Sequence, residues 1–475
     1  MNSKVTDARA AQVAGERGRN PSTISLDDRY IEFYQTTQSV FATFPLLESL
    51  RYFIFRELVV ERKARTWKEA SKDWSRPIRR RAHYNGQTLE RADVLVLIEG
   101  LREVVTDALL PVYQELRARG VRTQLVGTGG AANLPESAYY LYSSPRVFPP
   151  VWAKDSWDAL CVEMKELRSR PLERSFRSFC ANMQGYFDAV ETLLDQVKPR
   201  IVIVASTQLA GGAGLLIKSR ERNILTFLLQ HGILQPLYLP IIADRMLTWG
   251  DSSSETLIRL GIASEMLLAL GSPRHDSIAP ATHVDSKSTL YQALSLDEKP
   301  TMVFFSNGND FVRNGSAPHE CANWLEIAAA KYSKYINIVV RLHPNEDGSL
   351  YKNSRYLHMT KDDVSLVTTL DGCDWVGSLC STVLYDALLF KKPVWQFYAD
   401  EWPELADNWE RGLALRIASS AQLNDQIERI VSSGTIDSDS SVVTRVFANH
   451  GHAAQAISDY VERSLESAAT FSQRN

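Results

Sequence analysis

The chain has 475 residues, too many for one hydrophobic core, because single cores stop growing at roughly 250–300 residues. Its content of 44% hydrophobic and 23% charged residues is ordinary for a globular protein, and its formal net charge of -3 excludes a surface built to wrap nucleic acid. The five cysteines form no C-x-x-C pair and make an odd count, which argues against a disulfide framework and a zinc knuckle and indicates a reducing compartment.

The N-terminal region divides into two predicted parts. Residues 1–23 are polar, lack the apolar core of a signal peptide and are expected to form a disordered tail. Residues 24–90 are rich in aromatic residues and arginine, with roughly helical apolar spacing, and are predicted to form a helical extension. The basic stretch RPIRRR at 76–81 is either a solvated turn or a patch for an acidic acceptor or anionic lipid. We therefore expect a cytoplasmic protein, with peripheral contact at the inner face of the membrane as an option.

Residues 91–280 alternate between predicted strands and helices. DVLVLIEG, a helical stretch and VRTQLVGTGG form a strand–helix–strand unit, which indicates a parallel sheet covered by helices. After a helical stretch over about 150–197, further strands are predicted in PRIVIVAST, NILTFLLQHG, ADRMLTWG and MLLALGSPRHD. This segment is predicted to be a first Rossmann-like domain.

The polar segment 281–299 is the predicted linker, and a second series covers 300–466. Strands are predicted in TMVFFSNGND, INIVVRLHPNED, VSLVTT, CDWVGS and KPVWQFY, and helices in 319–333 and STVLYDALLF. The predicted fold class is therefore α/β, with two doubly wound Rossmann-like domains facing a cleft. In such sheets ligands bind beyond the carboxyl ends of the strands.

The strongest candidate site follows the predicted strand CDWVGS. Ser378, Ser381 and Thr382 lie where free backbone amides and a positive helix end would hold a phosphate, although Ser and Thr are also common N-caps. Asp386, one turn into the helix, would reach a ribose hydroxyl.

A second candidate follows INIVVR. Pro344 fixes a turn, because its ring locks φ, and His343 beside a phosphate would stabilise a leaving nucleotide. Arg341 either adds positive charge there or pairs with an acid.

Two residues at strand ends of the first series are candidates for acid–base catalysis. His231 would act as a general base or orient the acceptor, since histidine titrates near neutral pH; the alternative is a hydrogen-bonded turn histidine. Glu99 would activate an acceptor hydroxyl, although acids are common in such turns. The glycine runs lack a complete G-x-G-x-x-G element, so a dinucleotide site is not expected. No cluster of His and Cys residues with metal-ligand spacing appears, so neither a required metal nor a cofactor is expected.

These motifs also carry a family resemblance over roughly 93–466. The Ser/Thr cluster with its helix and Lys-Lys-Pro-Val resembles the nucleotide-binding half of GT-B-type glycosyltransferases and of related UDP-N-acetylglucosamine 2-epimerases, with Asp386 in place of the usual glutamate. Arg-x-His-Pro resembles the His-Pro motif of bacterial sialyl- and polysialyltransferases, Kdo transferases of capsule assembly and CDP-glycerol glycerophosphotransferases. This resemblance implies that His343 contacts the donor phosphate.

Three further elements are similar to parts of the same families. The loop with Ser306, Asn307 and Gly308 resembles the first loop of their second domain, which approaches the donor phosphates. Gln-His-Gly around His231 is similar to an element of capsule and teichoic-acid transferases. The GSPRHD segment looks like an architectural element that closes the first domain, in which Arg274 could also reach the donor phosphate.

The resemblance implies a metal-independent glycosyltransferase of bacterial surface-polysaccharide synthesis, including lipopolysaccharide and capsule. It implies a nucleotide-sugar co-substrate in the second domain, with the CMP-Kdo or CMP-sialic acid type favoured over UDP-sugars. The acceptor, a glycan or a lipid-linked sugar, would bind to the first domain. Three alternatives stay open: a CDP-glycerol-type polyol phosphate transferase, a sugar-nucleotide 2-epimerase and a non-catalytic module of a polysaccharide-assembly complex. The epimerase is disfavoured because its Ser-Gly-Gly phosphate turn is here Ser381-Thr382-Val383.

Overall fold

The computed structural model divides the chain into two compact units. One comprises Arg29–Asp276 together with the segment from Phe447, and the other includes Ser277–Val446. The residues that the structure describes are 26–62, 89–99, 103–128, 134–135, 137–141, 143, 148–208, 210–278, 285–307, 317–344, 346–379, 381–399, 408–409, 411–434 and 442–472.

The N-terminal extension is helical over its described part. It consists of α1 (Leu26–Thr43), a 3₁₀ helix (Pro45–Leu50), one α-turn (Arg51–Phe53) and a π-helical segment (Ile54–Val60). It packs on the first unit, where the Tyr30 hydroxyl donates to the Leu239 carbonyl at 2.5 Å. The predicted tail 1–23 and the stretch RPIRRR lie outside the described residues.

The first unit contains a seven-stranded parallel sheet of order β3-β2-β1-β4-β5-β6-β7. Its strands are β1 (Val94–Ile98), β2 (Thr123–Thr128), β3 (Tyr139–Leu141), β4 (Ile201–Val204), β5 (Leu225–Leu229), β6 (Arg245–Thr248) and β7 (Leu267–Ala269). Alternate residues of β1 point into the hydrophobic cores on opposite faces of the sheet. Leu95 and Leu97 lie in one core, and Val94 and Val96 lie in the other. Burial on both faces explains why these strands are continuous apolar runs.

Helices cover this sheet. They are α2 (Glu103–Ala118), α3 (Trp152–Glu163), α4 (Arg170–Val197), α5 (Ala210–Glu221) and α6 (Asp251–Arg259). The longest, α4, begins where the Ser169 hydroxyl accepts the Leu172 amide, with Pro171 in the first turn. Its apolar stripe, which includes Phe176, Met183 and Val190, is buried.

The second unit contains a six-stranded parallel sheet of order β10-β9-β8-β11-β12-β13. Its strands are β8 (Thr301–Phe305), β9 (Asn337–Arg341), β10 (Leu357–Thr360), β11 (Trp375–Ser378), β12 (Val394–Phe397) and β13 (Leu415–Ile417). Its helices are α7 (Ser286–Leu294), α8 (Ala317–Tyr332), α9 (Leu366–Gly372), α10 (Val383–Leu389), α11 (Ser420–Ser433) and α12 (Val442–Val446).

The structure corrects one predicted strand and revises the linker. VSLVTT is not a strand: the Ser365 hydroxyl accepts the Thr368 amide and starts α9, and the unpredicted strand β10 precedes it. The predicted linker 281–299 contains α7, which packs so closely on α9 that a Cβ on Gly372 would lie 2.6 Å from the Ser286 carbonyl. Much of the predicted linker therefore belongs to the second unit.

The C-terminal helix α13 (Ala453–Ser472) joins the first unit, whereas the sequence placed residues up to 466 in the second domain. Ile457 and Val461 of this helix are fully buried in the first core. Gly271, with φ +103°, permits the approach of the chain before α13, because a Cβ there would lie 2.2 Å from the Ala448 carbonyl. The two Asp276 carboxylate oxygens accept the amides of Ala453 and Ala454, each at 2.9 Å.

Within the described ranges, no helix combines the length and the apolar character that a bilayer crossing requires.

Replacing Asp276 by Ala should lower the free energy of unfolding, because two amides at the start of α13 lose their acceptor. We expect a loss of about 1–2 kcal/mol, measured by urea denaturation. Asp425→Ala, which removes an exposed carboxylate from α11, is the matched control and should have little effect. Equal losses in the two variants would contradict the capping role of Asp276.

Candidate functional site

Each sheet has one point at which the strand order reverses, and polar side chains meet there. In the first sheet β2 and β4 lie on opposite sides of β1, so the order reverses between β1 and β4. In the second sheet it reverses in the same way between β8 and β11. Such switch points are where doubly wound folds bind ligands, beyond the carboxyl ends of the strands.

The Glu99 carboxylate crosses the first switch point. It follows β1, and its two oxygens accept the amides of Gly211 and Gly212 at the start of α5, at 2.8 and 2.5 Å. A Cβ on Gly211 would lie 2.3 Å from Glu99 Oε1, and one on Gly212 2.1 Å from the Ser206 carbonyl. The glycine pair is therefore required for the carboxylate to reach the helix terminus, which it stabilises as an anion.

Burial raises the pKa of the Glu99 carboxyl to about 7, while the two amide hydrogen bonds act in the opposite direction. The Tyr186 hydroxyl, from α4, donates to the Gly211 carbonyl at 3.0 Å and holds the same turn. Burial, with a smaller effect from Glu99, raises the pKa of Tyr186 well above its ordinary value. Glu99 is thus a carboxyl group with a pKa suited to proton transfer near neutral pH.

His231 follows β5, which lies beside β4 in the first sheet. Its Nδ1 is hydrogen bonded to the Ala205 carbonyl at the end of β4, and the Tyr238 hydroxyl lies 3.3 Å from the same nitrogen. Because a carbonyl only accepts, Nδ1 carries the proton, and Nε2 is the basic nitrogen of the neutral ring. The structure thus sets the tautomer that the predicted base requires, and its catalytic role stays a prediction.

The residues beside His231 have architectural roles. The Gln230 side chain is buried, accepts the Trp249 amide at 2.9 Å and donates to the Gly232 carbonyl at 3.0 Å. Arg274 is half-buried in a short 3₁₀ turn (Pro273–His275). The predicted contact of Arg274 with a donor phosphate stays a prediction.

In the second unit, His343 follows β9 and lies beside the end of β8. Its amide is 2.8 Å from Ser306 Oγ and 3.0 Å from Glu346 Oε2, and the Ser306 hydroxyl donates to the same Glu346 oxygen. The predicted donor-side residues Ser306 and His343 are therefore brought together. The sequence analysis did not predict a role for Glu346, whose carboxylate joins them. An acidic residue three positions after the histidine, in the sequence Arg-Leu-His-Pro-Asn-Glu, could have indicated it.

The second switch point is bridged by Ser378. Its buried hydroxyl lies 2.7 Å from the Phe305 carbonyl and 3.0 Å from Asn307 Oδ1. These contacts connect the ends of β8 and β11 and engage the Ser378 hydroxyl within the protein. Ser378 is thus better suited to support the site than to bind a phosphate directly.

Ser381 and Thr382 are half-buried and precede α10, which begins at Val383 and is only seven residues long. Ser381 Oγ accepts the Val383 amide at 3.3 Å, as an N-terminal turn residue does. Asp386 is only 2% exposed, so contact with a ribose would require a rearrangement of α10. The phosphate and ribose contacts predicted for this segment stay predictions.

Three other predicted donor residues differ in their surroundings. The Arg341 guanidinium bonds the Val364 carbonyl at 2.5 Å and Thr369 Oγ1 at 3.0 Å, so it supports α9 in this structure. Pro344 is exposed after His343, and Gly308 lies outside the described residues. The described ranges contain no group of three or more His, Cys, Asp or Glu side chains that could hold a metal ion.

The raised pKa of Glu99 predicts a pH-dependent difference in stability between the wild type and Glu99→Gln. The folded carboxyl, with a pKa of about 7, binds its proton more tightly than the unfolded one at 4.5. The wild type should therefore lose stability relative to the variant as pH rises from about 4.5 to about 7. Because Glu99 is half-buried, solvent screening reduces the expected loss to roughly 1–3 kcal/mol.

Urea denaturation of both proteins between pH 5 and pH 8 measures this difference. Glu265→Gln, which changes an exposed carboxyl of the same unit, is the control and should give a flat difference. A flat difference for Glu99→Gln as well would show that Glu99 titrates at its ordinary pKa.

Comparison with known proteins identifies the fold. No family model and no curated protein matches the sequence. Similar solved structures include the UDP-GlcNAc 2-epimerase from Methanocaldococcus jannaschii (TM-score 0.51, 12% identity, 78% of this chain and 99% of that chain). Another is the S. aureus MnaA–UDP co-structure (TM-score 0.50, 13% identity, covering 80% of this chain and 97% of that chain). A third is the glycotransferase of kitacinnamycin (TM-score 0.50, 12% identity, covering 79% of this chain and 100% of that chain). The predicted fold class, two Rossmann-like α/β units of the GT-B type, is confirmed.

Proposed function

We propose that the chain is a GT-B-type enzyme acting on a nucleotide-activated sugar, and that it is a glycosyltransferase. One observation carries the proposal: the second switch point is lined by side chains from the ends of three adjacent strands. His343 follows β9, Ser306 and Asn307 follow β8, and Ser381 follows β11. This is the position at which doubly wound sheets hold nucleotide phosphates.

The donor would bind to the second unit through its phosphate. His343 supplies a hydrogen-bond donor whose proton can offset the charge that develops on the leaving nucleotide, and Ser381 and Thr382 supply hydroxyls and amides. A cytidine monophosphate donor of the Kdo or sialic acid type is favoured by the His-Pro resemblance. The similar structures favour a uridine nucleotide instead, since one is an enzyme of UDP-GlcNAc and another contains UDP.

The first unit would supply the acid–base chemistry. An acceptor hydroxyl attacks the anomeric carbon, the bond from that carbon to the phosphate oxygen breaks, and the hydroxyl proton passes to a base. Glu99 is suited to accept it, because burial raises the pKa of its carboxyl to about 7. His231 would orient the acceptor hydroxyl or take the proton itself at Nε2.

The acceptor would be a glycan or a lipid-linked sugar of bacterial surface-polysaccharide assembly. Location in the cytoplasm and contact of the N-terminal region with the inner face of the membrane belong to the same proposal. They rest on the composition of residues 24–90 and on the family resemblance.

A sugar-nucleotide 2-epimerase is the second candidate. It is favoured by the likeness to the archaeal UDP-GlcNAc 2-epimerase over nearly all of that chain's length. Glu99, after β1, and His231, after β5 on the other side of β4, would then move protons on the sugar itself.

Product analysis separates the two candidates. The purified chain should release free nucleotide from a matching sugar nucleotide only when an acceptor glycan is added, as followed by chromatography. An isomeric sugar nucleotide formed without any acceptor would establish the epimerase instead. Trials with CMP-Kdo, CMP-sialic acid and UDP-GlcNAc cover both donor classes.

His343→Ala should weaken the binding of the preferred nucleotide by roughly 10–100-fold, the effect of losing one hydrogen bond to a charged group. Isothermal titration with CMP, CDP and UDP measures this loss. His358→Ala, a half-buried histidine within strand β10 of the same unit, is the matched control. Unchanged affinity in His343→Ala would place the nucleotide elsewhere.

A further inference from the structure

Glu346 is a buried acid at the predicted donor site for which the proposed function has no role. It is 5% exposed and lies three residues after His343, in the loop that follows β9. A fixed negative charge beside a phosphate site opposes the binding of an anion. Its presence there therefore calls for an explanation other than charge complementarity.

A closed set of hydrogen bonds joins Glu346 to both neighbouring strand ends. Its Oε2 atom accepts the Ser306 hydroxyl, from the end of β8, and the His343 amide at 3.0 Å. The His343 amide also lies 2.8 Å from Ser306 Oγ, and the Glu346 amide donates to the His343 carbonyl at 2.8 Å. The three residues thus hold the ends of β8 and β9 in one arrangement.

This arrangement occupies two groups that would otherwise serve a phosphate. A serine hydroxyl has one hydrogen, and that of Ser306 is donated to Glu346. The His343 amide is likewise directed at Glu346 and Ser306. Both donors therefore hold the loop and are engaged within the protein.

We infer that Glu346 is a positioning residue, which with Ser306 holds the turn at His343 so that the imidazole meets the donor phosphate. This inference rests on the proposed function and deepens its donor site. It also changes the role of Ser306, from a phosphate contact to a support for His343.

Two substitutions of Glu346 separate geometry from charge. Because both bonds converge on one oxygen, the amide oxygen of Glu346→Gln can accept both with its two lone pairs while the charge is lost. Glu346→Ala loses the bonds and the charge together. Positioning predicts that Glu346→Gln binds the preferred nucleotide at least as tightly as the wild type, whereas Glu346→Ala binds it more weakly, by up to the roughly 10–100-fold expected for the loss of the His343 contact itself.

A purely electrostatic role predicts that both variants bind more tightly, which would overturn the inference. A role only in stability predicts a lower melting temperature with unchanged nucleotide affinity, which would overturn it as well. Asp347→Ala is the matched control: Asp347 is the exposed neighbouring acid, so affinity should change by no more than about twofold.

A double-mutant cycle with Ser306→Ala tests the pairing. If Ser306 and Glu346 act on His343 as a unit, the double variant Ser306→Ala/Glu346→Ala should bind nucleotide no more weakly than Glu346→Ala alone. If the losses of nucleotide affinity in the two single variants multiply in the double variant, Ser306 and Glu346 act independently, and the inferred pairing is overturned.

The same titrations distinguish this inference from the proposed function. If the wild type binds none of CMP, CDP, UDP and their sugar conjugates, the proposed function fails and the inference fails with it. If the wild type binds a nucleotide and Glu346→Ala binds it equally well, only the inference fails.

Discussion

The carboxyl edge of a buried parallel sheet is the constraint on which both units depend. The strands are apolar and covered on both faces, so polar groups collect where each strand ends and the chain turns into a helix. At that edge the first amides of the helices need acceptors. In both units a side chain of the protein crosses the switch point: Glu99 in the first, and Ser378 in the second.

In the first unit the contacts that stabilise the fold also set the pKa of the Glu99 carboxyl. The Glu99 carboxylate satisfies two amides at the start of α5; a Cβ at Gly211 would collide with this carboxylate, and one at Gly212 would collide with the Ser206 carbonyl. The burial that this position imposes raises the pKa of the same carboxyl. A group placed to complete the fold thereby becomes suited to exchange a proton near neutral pH.

In the second unit the hydrogen bonds show which of the predicted donor-site residues hold neighbouring parts of the protein together. Ser306, Ser378 and Arg341 direct their polar atoms at neighbouring protein groups, while His343, Ser381 and Thr382 are half-buried at the edge. The fold itself does not choose between transfer and epimerisation, since the similar structures include both kinds of enzyme.

Much of this architecture is predictable from local patterns. β-Branched apolar runs located most strands, including the one ending at His343, because a strand buried on both faces must be apolar throughout. The strand predicted for VSLVTT was wrong because a short apolar run fits a strand or a helix equally well. The Ser365 N-cap favours the helix. The position of α13 was missed because its partners, Asp276 and Phe227 among them, are distant in sequence.

The sequence alone determined the fold class, most of the strands and the presence of polar residues at their ends. Only the tertiary structure decided which of those residues act together. Glu99 meets α5 across 112 positions of the chain, and Ser306 meets Glu346 across 40. Such pairings follow from the order of strands in the sheet, and hydrophobic periodicity specifies a strand without specifying its neighbours.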